Sequence, residues 1–519
     1  MRPRNTPALL SLLAGAALLG SHPPFDIWPL AFVSVVLLLA AIDAQRRVGH
    51  SVAMIGLLFG LAFHGPLLTW IIGPAGFVGW SLLVAIQVVW YVVLAVLVGV
   101  GQPFRWVVLV TPAVWVGVDA WRSSIPLGGF AWGSIEYSQV ANGWLIPVGR
   151  LAGGRAMAFV VVLLSAAAYE AGRRIVDATR DDDGRLRPAL VRSTLPHGTA
   201  GATILVAAMF AVVFVTVEPP TPSATADVLV IQGNDVEDWF GAGLELDELI
   251  ASKMRAETER AIGSGPPPDL TIWPESSIDR DPTRVDAAVI ADHVRQASTT
   301  TDGRLLAGVN LDGPRPGTFL NSSVLFDVDG LEVDRYVKRR LVPFGEYVPF
   351  RAFLDWFPPL QQVPRDGVAG PGPDLVSVGE ARVAVAICFE TMFPRVVRAN
   401  IMAESEPANL LVASTNDASF GRTAEPEQHL AQTRMRAIES GRWAVHAAVS
   451  GRSAFVDPSG RVDDRTDLFV IDHIRANVPL VTGLTPFMVT GDWVGVLGRA
   501  AVALLAAFAL LRRFRSRDG

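Results

Sequence analysis

Cys388 is the only cysteine among 519 residues; it follows the apolar run Val383-Ala384-Val385-Ala386-Ile387 and precedes Phe389-Glu390. A single thiol makes no internal disulfide, so the residue is either a small buried hydrophobe or a nucleophile. A protonated thiol is a poor nucleophile, and it needs a base to take its proton and a positive neighbour that favours the thiolate. Glu275, in Trp273-Pro274-Glu275-Ser276-Ser277, and Lys338, in Tyr336-Val337-Lys338-Arg339-Arg340, are of those types, and each stands at or just after a strand-like run. Taken singly they read as a core thiol, a solvated turn carboxylate and a surface lysine. Taken together they point to thiol-based acyl chemistry. Glu346 and Glu390 lie close in sequence to the lysine and the cysteine.

Such residues, scattered over more than a hundred positions, need a scaffold that brings strand ends together. Short apolar runs at 228–232, 270–273, 305–309, 323–326, 383–387, 410–414, 443–448 and 453–456 read as strands. Stretches with helical periodicity at 244–262, 284–297 and 427–440 alternate with some of them, which predicts an α/β layered domain. The Pro/Gly-rich segments 263–268 and 367–373 read as loops.

The rest of the chain has a different character. Half of all residues are hydrophobic and only 18% are charged. The apolar ones gather into runs that predict transmembrane helices at roughly 7–20, 28–43, 52–73, 77–100, 105–121, 156–172, 199–217 and 492–511. The first is read as a span rather than a signal peptide, because a second apolar run follows directly without a clear cleavage site. The prolines of Glu218-Pro219-Pro220-Thr221-Pro222 end the seventh helix. Three regions result: a helical bundle over 1–217, a polar domain over 218–491, and a last helix with a basic tail over 492–519. Arginines at 2, 4, 46, 47, 105, 173–192 and 512–517 put both termini in the cytoplasm and the polar domain outside it. Arg122, Arg150 and Arg155 run against that pattern. A net charge of −6 without a basic face excludes a nucleic-acid partner.

Trp273-Pro274-Glu275, Tyr336-Val337-Lys338 with Pro343-Phe344-Gly345-Glu346, and Ile387-Cys388-Phe389-Glu390 resemble the Glu-Lys-Cys triad of the nitrilase superfamily. More narrowly, the chain resembles the bacterial apolipoprotein N-acyltransferase family. The resemblance extends to Pro24-Phe25-Asp26-Ile27-Trp28-Pro29, Gly128-Gly129-Phe130-Ala131-Trp132, Ile231-Gln232-Gly233-Asn234, Asn321-Ser322-Ser323, Asn416-Asp417-Ala418-Ser419-Phe420-Gly421 and Gln428-His429-Leu430. It implies an outward nitrilase-like αββα sandwich on a bundle of about eight transmembrane helices. It also implies a phospholipid acyl donor, a diacylglyceryl-cysteine apolipoprotein acceptor, no cofactor and no metal, and a prenyl-sugar synthase as a partner. Glu275 would be the general base, Cys388 the nucleophile, and Lys338 with the Phe389 N–H the oxyanion donors. Glu346 would be a second acid/base or an orienter of Lys338, and Glu390 would shape the site. Trp239 and Asn416 match family positions and are candidate substrate contacts. The family often has Tyr where Phe389 stands and Trp where Ser419 stands, which puts substrate fit in question.

The aromatic stretch 350–360 is a candidate lipid contact. His64 inside a helix run reads as a packed neutral imidazole, and Asp119 near a helix end reads as reaching the interface. The eight histidines show no metal-ligand spacing. Two competing functions are a membrane-tethered amidase that uses water as acceptor, and a transporter with an accessory outer domain. The scarcity of charge within the apolar runs speaks against the second.

Overall fold

The structure is a computed structural model, and it describes residues 5–101, 107–178, 203, 206–212, 214, 217, 221–235, 243–354, 360 and 363–515. The chain divides into two compact units. One comprises residues up to 218, save 73–75, together with 490 onward; the other comprises 219–489 with 73–75.

The first unit is helical, with helices at Thr6–Ser21, Leu30–Arg47, Ala53–Leu67, Ile72–Gly101, Val107–Arg122, Gly154–Ala178 and Trp493–Arg515. Two helices, Thr69–Gly101 and Gly154–Val176, are long and apolar enough to cross a membrane. Thr6–Ser21, Ala53–Leu67 and Trp493–Ala509 are shorter apolar helices. The expected run 52–73 stops at Leu67, just after Pro66, and continues as a 3-10 turn at Thr69–Ile71. Of the expected span 199–217, residues 203, 206–212 and 214 are helical, and 199–202, 204, 205, 213, 215 and 216 lie outside the described residues.

One expectation about charge in this unit is corrected. Asp119 does not reach outward: its carboxylate pairs with Arg122 at 2.7 Å and faces Arg155 at 3.6 Å. Arg155 also pairs with Asp492, and Arg122 donates to Gln87, Ser134 and the carbonyls of Phe130 and Trp132. Arg122 and Arg155 run against the loop-charge pattern because they are buried and paired. His64 is fully buried, with Phe63 and Tyr91 rings 4.5 and 5.2 Å away, a packed imidazole as expected.

The second unit is built on two sheets. Its strands in chain order are β1 (Pro222–Gln232), β2 (Leu270–Ile278), β3 (Leu305–Asp312), β4 (Thr318–Phe326), β5 (Glu332–Val337), β6 (Asp366–Gly367), β7 (Val376–Val378), β8 (Ala381–Ile387), β9 (Leu410–Thr415), β10 (Ala444–Ala448), β11 (Ala454–Val456), β12 (Val462–Arg465) and β13 (Asp472–Val481). One sheet has the order β13-β1-β2-β3-β4-β5 with β6 beside β4; the other has β12-β11-β10-β9-β8-β7. Alternate residues of β1 serve different cores. Val228 and Val230 pack between the sheets with Val383, Val385, Leu410 and Val412. Leu229 and Ile231 pack outward with Ile250, Met254, Ile290 and Val294 of helices Gly243–Ile262 and Ala288–Thr300. On the far side, Ala384, Ala386 and Leu411 meet Val397, Ile401, Leu430 and Ala437 of helices Pro394–Ile401 and Glu425–Ser440. Strands apolar on both faces must be covered on both, and the result is the four-layer αββα sandwich.

Sequence reading missed β5, β6, β7, β12 and β13. The longest of these, β13, pairs antiparallel along almost all of β1, yet its sequence, Asp472-His473-Ile474-Arg475-Ala476-Asn477-Val478-Pro479-Leu480-Val481, is half polar and contains a proline. As an edge strand it buries one face only, so its apolar signal is thin.

Helices Val107–Arg122 and Trp493–Arg515 meet at two glycines: a Cβ on Gly117 would lie 2.2 Å from the Gly498 carbonyl oxygen. Small residues let two backbones approach this closely. Gly498→Val in the detergent-solubilised protein should therefore lower the unfolding midpoint by the equivalent of about 1–3 kcal/mol. Gly143→Ala, whose Cβ would meet nothing within 4 Å, should leave it unchanged.

Candidate active site

The site residues come from the carboxyl ends of strands in both sheets. Glu275 lies in β2, where the pairing with β3 shifts register between Trp273 and Ile278. That irregularity turns the glutamate out of the regular alternation. The opposite position must be glycine, because a Cβ on Gly308 would sit 2.3 Å from the Pro274 carbonyl oxygen. Lys338 follows β5 directly, and its backbone N–H donates to the Asn321 carbonyl at 2.8 Å. Cys388 ends β8 and opens a 3-10 turn, Cys388–Met392, with φ at +48°. A left-handed conformation is costly for a side chain with a Cβ and persists where the surroundings enforce it.

Glu275, Lys338 and Glu346 form one buried cluster. The Lys338 ammonium donates to Glu275 Oε1 at 3.0 Å and to Glu346 Oε1 at 2.9 Å. Asn321 Nδ2 donates to the same two oxygens, at 2.6 and 2.8 Å. The remaining oxygens accept backbone N–H groups, Glu275 Oε2 from Asn416 at 2.9 Å and Glu346 Oε2 from Val342 at 2.7 Å. Burial alone would lower the pKa of Lys338, but the Glu275 and Glu346 carboxylates and Cys388 reverse this and hold it well above the ordinary lysine value. The lysine is a fixed cation.

Cys388 is partly buried and packs on the edge of the core between the sheets. Burial pushes its thiol pKa well up and Glu275 adds to this, while Lys338 and the Thr415 hydroxyl oppose it. The resting sulfur therefore carries its proton, and attack requires a base. The Glu275 carboxylate and the Lys338 ammonium both act electrostatically on that sulfur.

Glu390 is fully buried and acts as a backbone clamp. Its carboxylate accepts the N–H groups of Arg339 at 2.8 Å, Arg340 at 3.0 Å and Ile387 at 2.9 Å, and the Tyr336 hydroxyl at 2.9 Å. One side chain thus ties the segment after Lys338 to the strand end before Cys388. Burial raises its pKa, and the backbone N–H bonds from Ile387 and Arg339 work the other way.

The other sequence candidates have mixed outcomes. Asn416 serves Glu275 through its backbone N–H, whereas its side-chain oxygen accepts the Ala418 N–H at 3.0 Å. Phe389 is 9% exposed and packs edge-on against Phe393. Trp239 lies outside the described residues, as do Trp356 and Phe357 of the aromatic stretch. Phe350 and Phe353 of that stretch are 72% and 78% exposed.

Sequence reading gave no role to Asn321, which holds both carboxylates, or to His429. It also found no metal-ligand spacing among the histidines, whereas the fold brings Asp417, His429 and His446 together, with candidate ligand atoms within 4.8 Å of one another. They come from β10, its neighbouring helix and the turn after β9, separations that no sequence motif encodes. The signal for Asn321 was its place in the family-like motif Asn321-Ser322-Ser323, which carried no role of its own.

Comparison with known proteins gives a consistent assignment. Residues 14–167 match the apolipoprotein N-acyltransferase N-terminal domain, and residues 248–481 match the carbon-nitrogen hydrolase domain. The chain is 30% identical over 520 residues to the apolipoprotein N-acyltransferase of Geobacter metallireducens, covering 96% of this chain and 95% of that one. It is 30% identical over 533 residues to the enzyme of the same name from Mycolicibacterium smegmatis, covering 97% and 85%. Among solved structures, a carbon-nitrogen hydrolase superfamily protein from Xanthomonas campestris aligns with 49% of this chain and 90% of its own, at 17% identity and a TM-score of 0.37. An unbroken match of both segments to named relatives makes this chain a member of the apolipoprotein N-acyltransferase family.

Proposed function

We propose that the protein transfers an acyl chain from a phospholipid to the α-amino group of a diacylglyceryl-cysteine apolipoprotein through a thioester on Cys388. The observation that carries this reading is the grouping of Glu275, Lys338 and Cys388 at strand ends, in a chain whose length aligns with named N-acyltransferases. In the first half-reaction Glu275 takes the thiol proton and the sulfur attacks the ester carbonyl. The Lys338 ammonium and the Phe389 N–H receive the developing oxyanion. The C–O bond then breaks, Glu275 returns the proton to the departing oxygen, and lysophospholipid leaves. In the second half-reaction the lipoprotein amine attacks the thioester, the C–S bond breaks, and one amine proton passes by way of Glu275 to the sulfur. Glu346 orients Lys338, and Glu390 fixes the distance between the lysine and cysteine segments.

The helical unit spans the membrane eight times, with both termini cytoplasmic and the catalytic domain outside. The apolar helices, together with loops at 21–27 and 74–76 free of lysine and arginine, support that topology. The exposed Phe350 and Phe353, and Trp239, Trp356 and Phe357, are proposed to meet acyl chains or the bilayer surface. Ser419, where the family often has tryptophan, leaves more room for the acceptor or donor. A prenyl-sugar synthase partner has no support among the relatives and forms no part of the proposal. Amidase chemistry differs only in the acceptor, and the named relatives favour transfer to an amine.

Three outcomes are expected. Wild-type protein incubated with phospholipid and no acceptor gains one acyl mass by intact mass spectrometry, and Cys388→Ala neither gains it nor N-acylates an apolipoprotein; N-acylated product from that variant would sink the scheme. Because Cys388 is the sole thiol and its pKa is pushed up, its alkylation by iodoacetamide should still be below half of its plateau rate at about pH 8.5, where an ordinary thiol is half ionised. Lys338→Met, which removes the nearby cation, should move that profile to still higher pH. Glu390→Ala leaves three backbone N–H groups, one buried and two partly buried, without their acceptor, so the unfolding midpoint should fall by the equivalent of about 3–5 kcal/mol.

A further inference from the structure

Behind the Cys388 turn lies a second polar cluster that the acyl-transfer scheme does not use. His429, on helix Glu425–Ser440, is 1% exposed. Its Nε2 lies 3.2 Å from the Cys388 carbonyl oxygen and 3.0 Å from the Thr391 hydroxyl. Its Nδ1 lies 3.2 Å from Asp417 Oδ1 and 3.3 Å from the Thr415 hydroxyl, with Glu425 Oε1 at 3.6 Å.

The hydroxyl protons in this cluster have directions. Thr415 donates to Asp417 Oδ1 at 2.8 Å or to the Cys388 sulfur, and Thr391 donates to the Cys388 carbonyl at 2.8 Å or to Gln432 Oε1 at 3.2 Å. Both hydroxyl oxygens then face His429 as acceptors. On the Nε2 side the ring meets a peptide carbonyl, which can only accept, so that nitrogen carries a proton toward it; on the Nδ1 side the Asp417 carboxylate lies against the ring. Burial would raise the pKa of Asp417, but its hydrogen bond and electrostatic contact with His429 outweigh this and lower it. Both nitrogens of His429 and the Nδ1 of His446 are committed to protein groups.

The carbonyl that His429 addresses belongs to the peptide linking Cys388 to Phe389. Drawing electron density toward that oxygen makes the N–H at the other end of the same peptide a stronger donor. We propose that His429, through its Nε2–H and together with the Thr391 hydroxyl, is a positioning residue that polarises the Cys388–Phe389 peptide and so strengthens its N–H toward the oxyanion. Asp417 and Thr415 hold the ring in place for this task. The assignment rests on the thioester scheme above, in which that N–H is an oxyanion donor.

The test uses the full-length enzyme in detergent with a phospholipid labelled with carbon-13 at its ester carbonyl, and no acceptor. Isotope-edited infrared spectroscopy reads the thioester carbonyl stretch of the acylated fraction alone, so partial loss of folded protein does not enter the frequency. His429→Leu should move that stretch to higher wavenumber and slow thioester formation about tenfold or more at unchanged KM for phospholipid. His429→Gln, which keeps one amide donor, should recover part of both effects. Thr391→Val removes the second donor and should shift the stretch in the same direction, which keeps the question answerable if His429→Leu fails to fold. An unshifted stretch with a wild-type rate in His429→Leu, or in Thr391→Val where His429→Leu does not fold, would overturn the role of His429. Absence of a thioester in the wild-type enzyme would instead overturn the scheme on which it rests.

Discussion

The catalytic domain depends on one buried cation held between two carboxylates. Lys338 is 1% exposed, and an ammonium that far from water survives only if its charge is matched and its protons are accepted. Glu275 and Glu346 do both, and Asn321 ties their near oxygens together. The pairing is over-determined from the carboxylate side as well, because each far oxygen accepts a backbone N–H from a different loop. Four segments are thereby bound to one point: the irregular end of β2, the middle of β4, the exit of β5 and the turn after β9. The arrangement leaves the lysine positive beside a thiol that burial keeps protonated, and the proposed base and the proposed oxyanion donor share one hydrogen bond.

A second constraint sets the distance between this ion cluster and the sulfur. Glu390 is only two residues beyond Cys388, yet its carboxylate gathers backbone donors from both sides of the site. A buried carboxylate that accepts several backbone N–H groups works as a rigid bracket, since releasing any one of them leaves an unsatisfied polar group in the core. The positive φ of Cys388 can persist because Glu390 grips the chain just before it and Thr391 and His429 bond to its carbonyl just after it.

The helical unit follows the same rule with different material. Its buried charges are assembled into a set in which Asp119 faces Arg122 and Arg155, and Arg155 faces Asp492. The carboxylate of the last helix region is thus tied to residues far earlier in the chain. The glycine pair at 117 and 498 allows the helices that carry these groups to approach closely.

Much of this was legible in the order of residue types. Runs such as Val383 to Ile387 and Leu410 to Ala413 are apolar at every position, which is the mark of strands covered on both faces, and so the layered α/β domain could be read directly. The lone cysteine, the glutamate after Trp273-Pro274 and the lysine after Tyr336-Val337 were identifiable because a thiol nucleophile needs a base and a cation, and the chain places all three types at strand ends. Tertiary structure alone decided what each charge faces. Asp119 and Asn416 are the clearest cases: one turns inward to arginines and the other serves through its backbone, and neither choice leaves a trace in spacing. The edge strand β13, the clamp made by Glu390 and the His429 network share the same reason for their silence. Each depends on hydrogen bonds between residues tens to hundreds of positions apart, and sequence periodicity reports only which face of an element is dry, not which partner waits there.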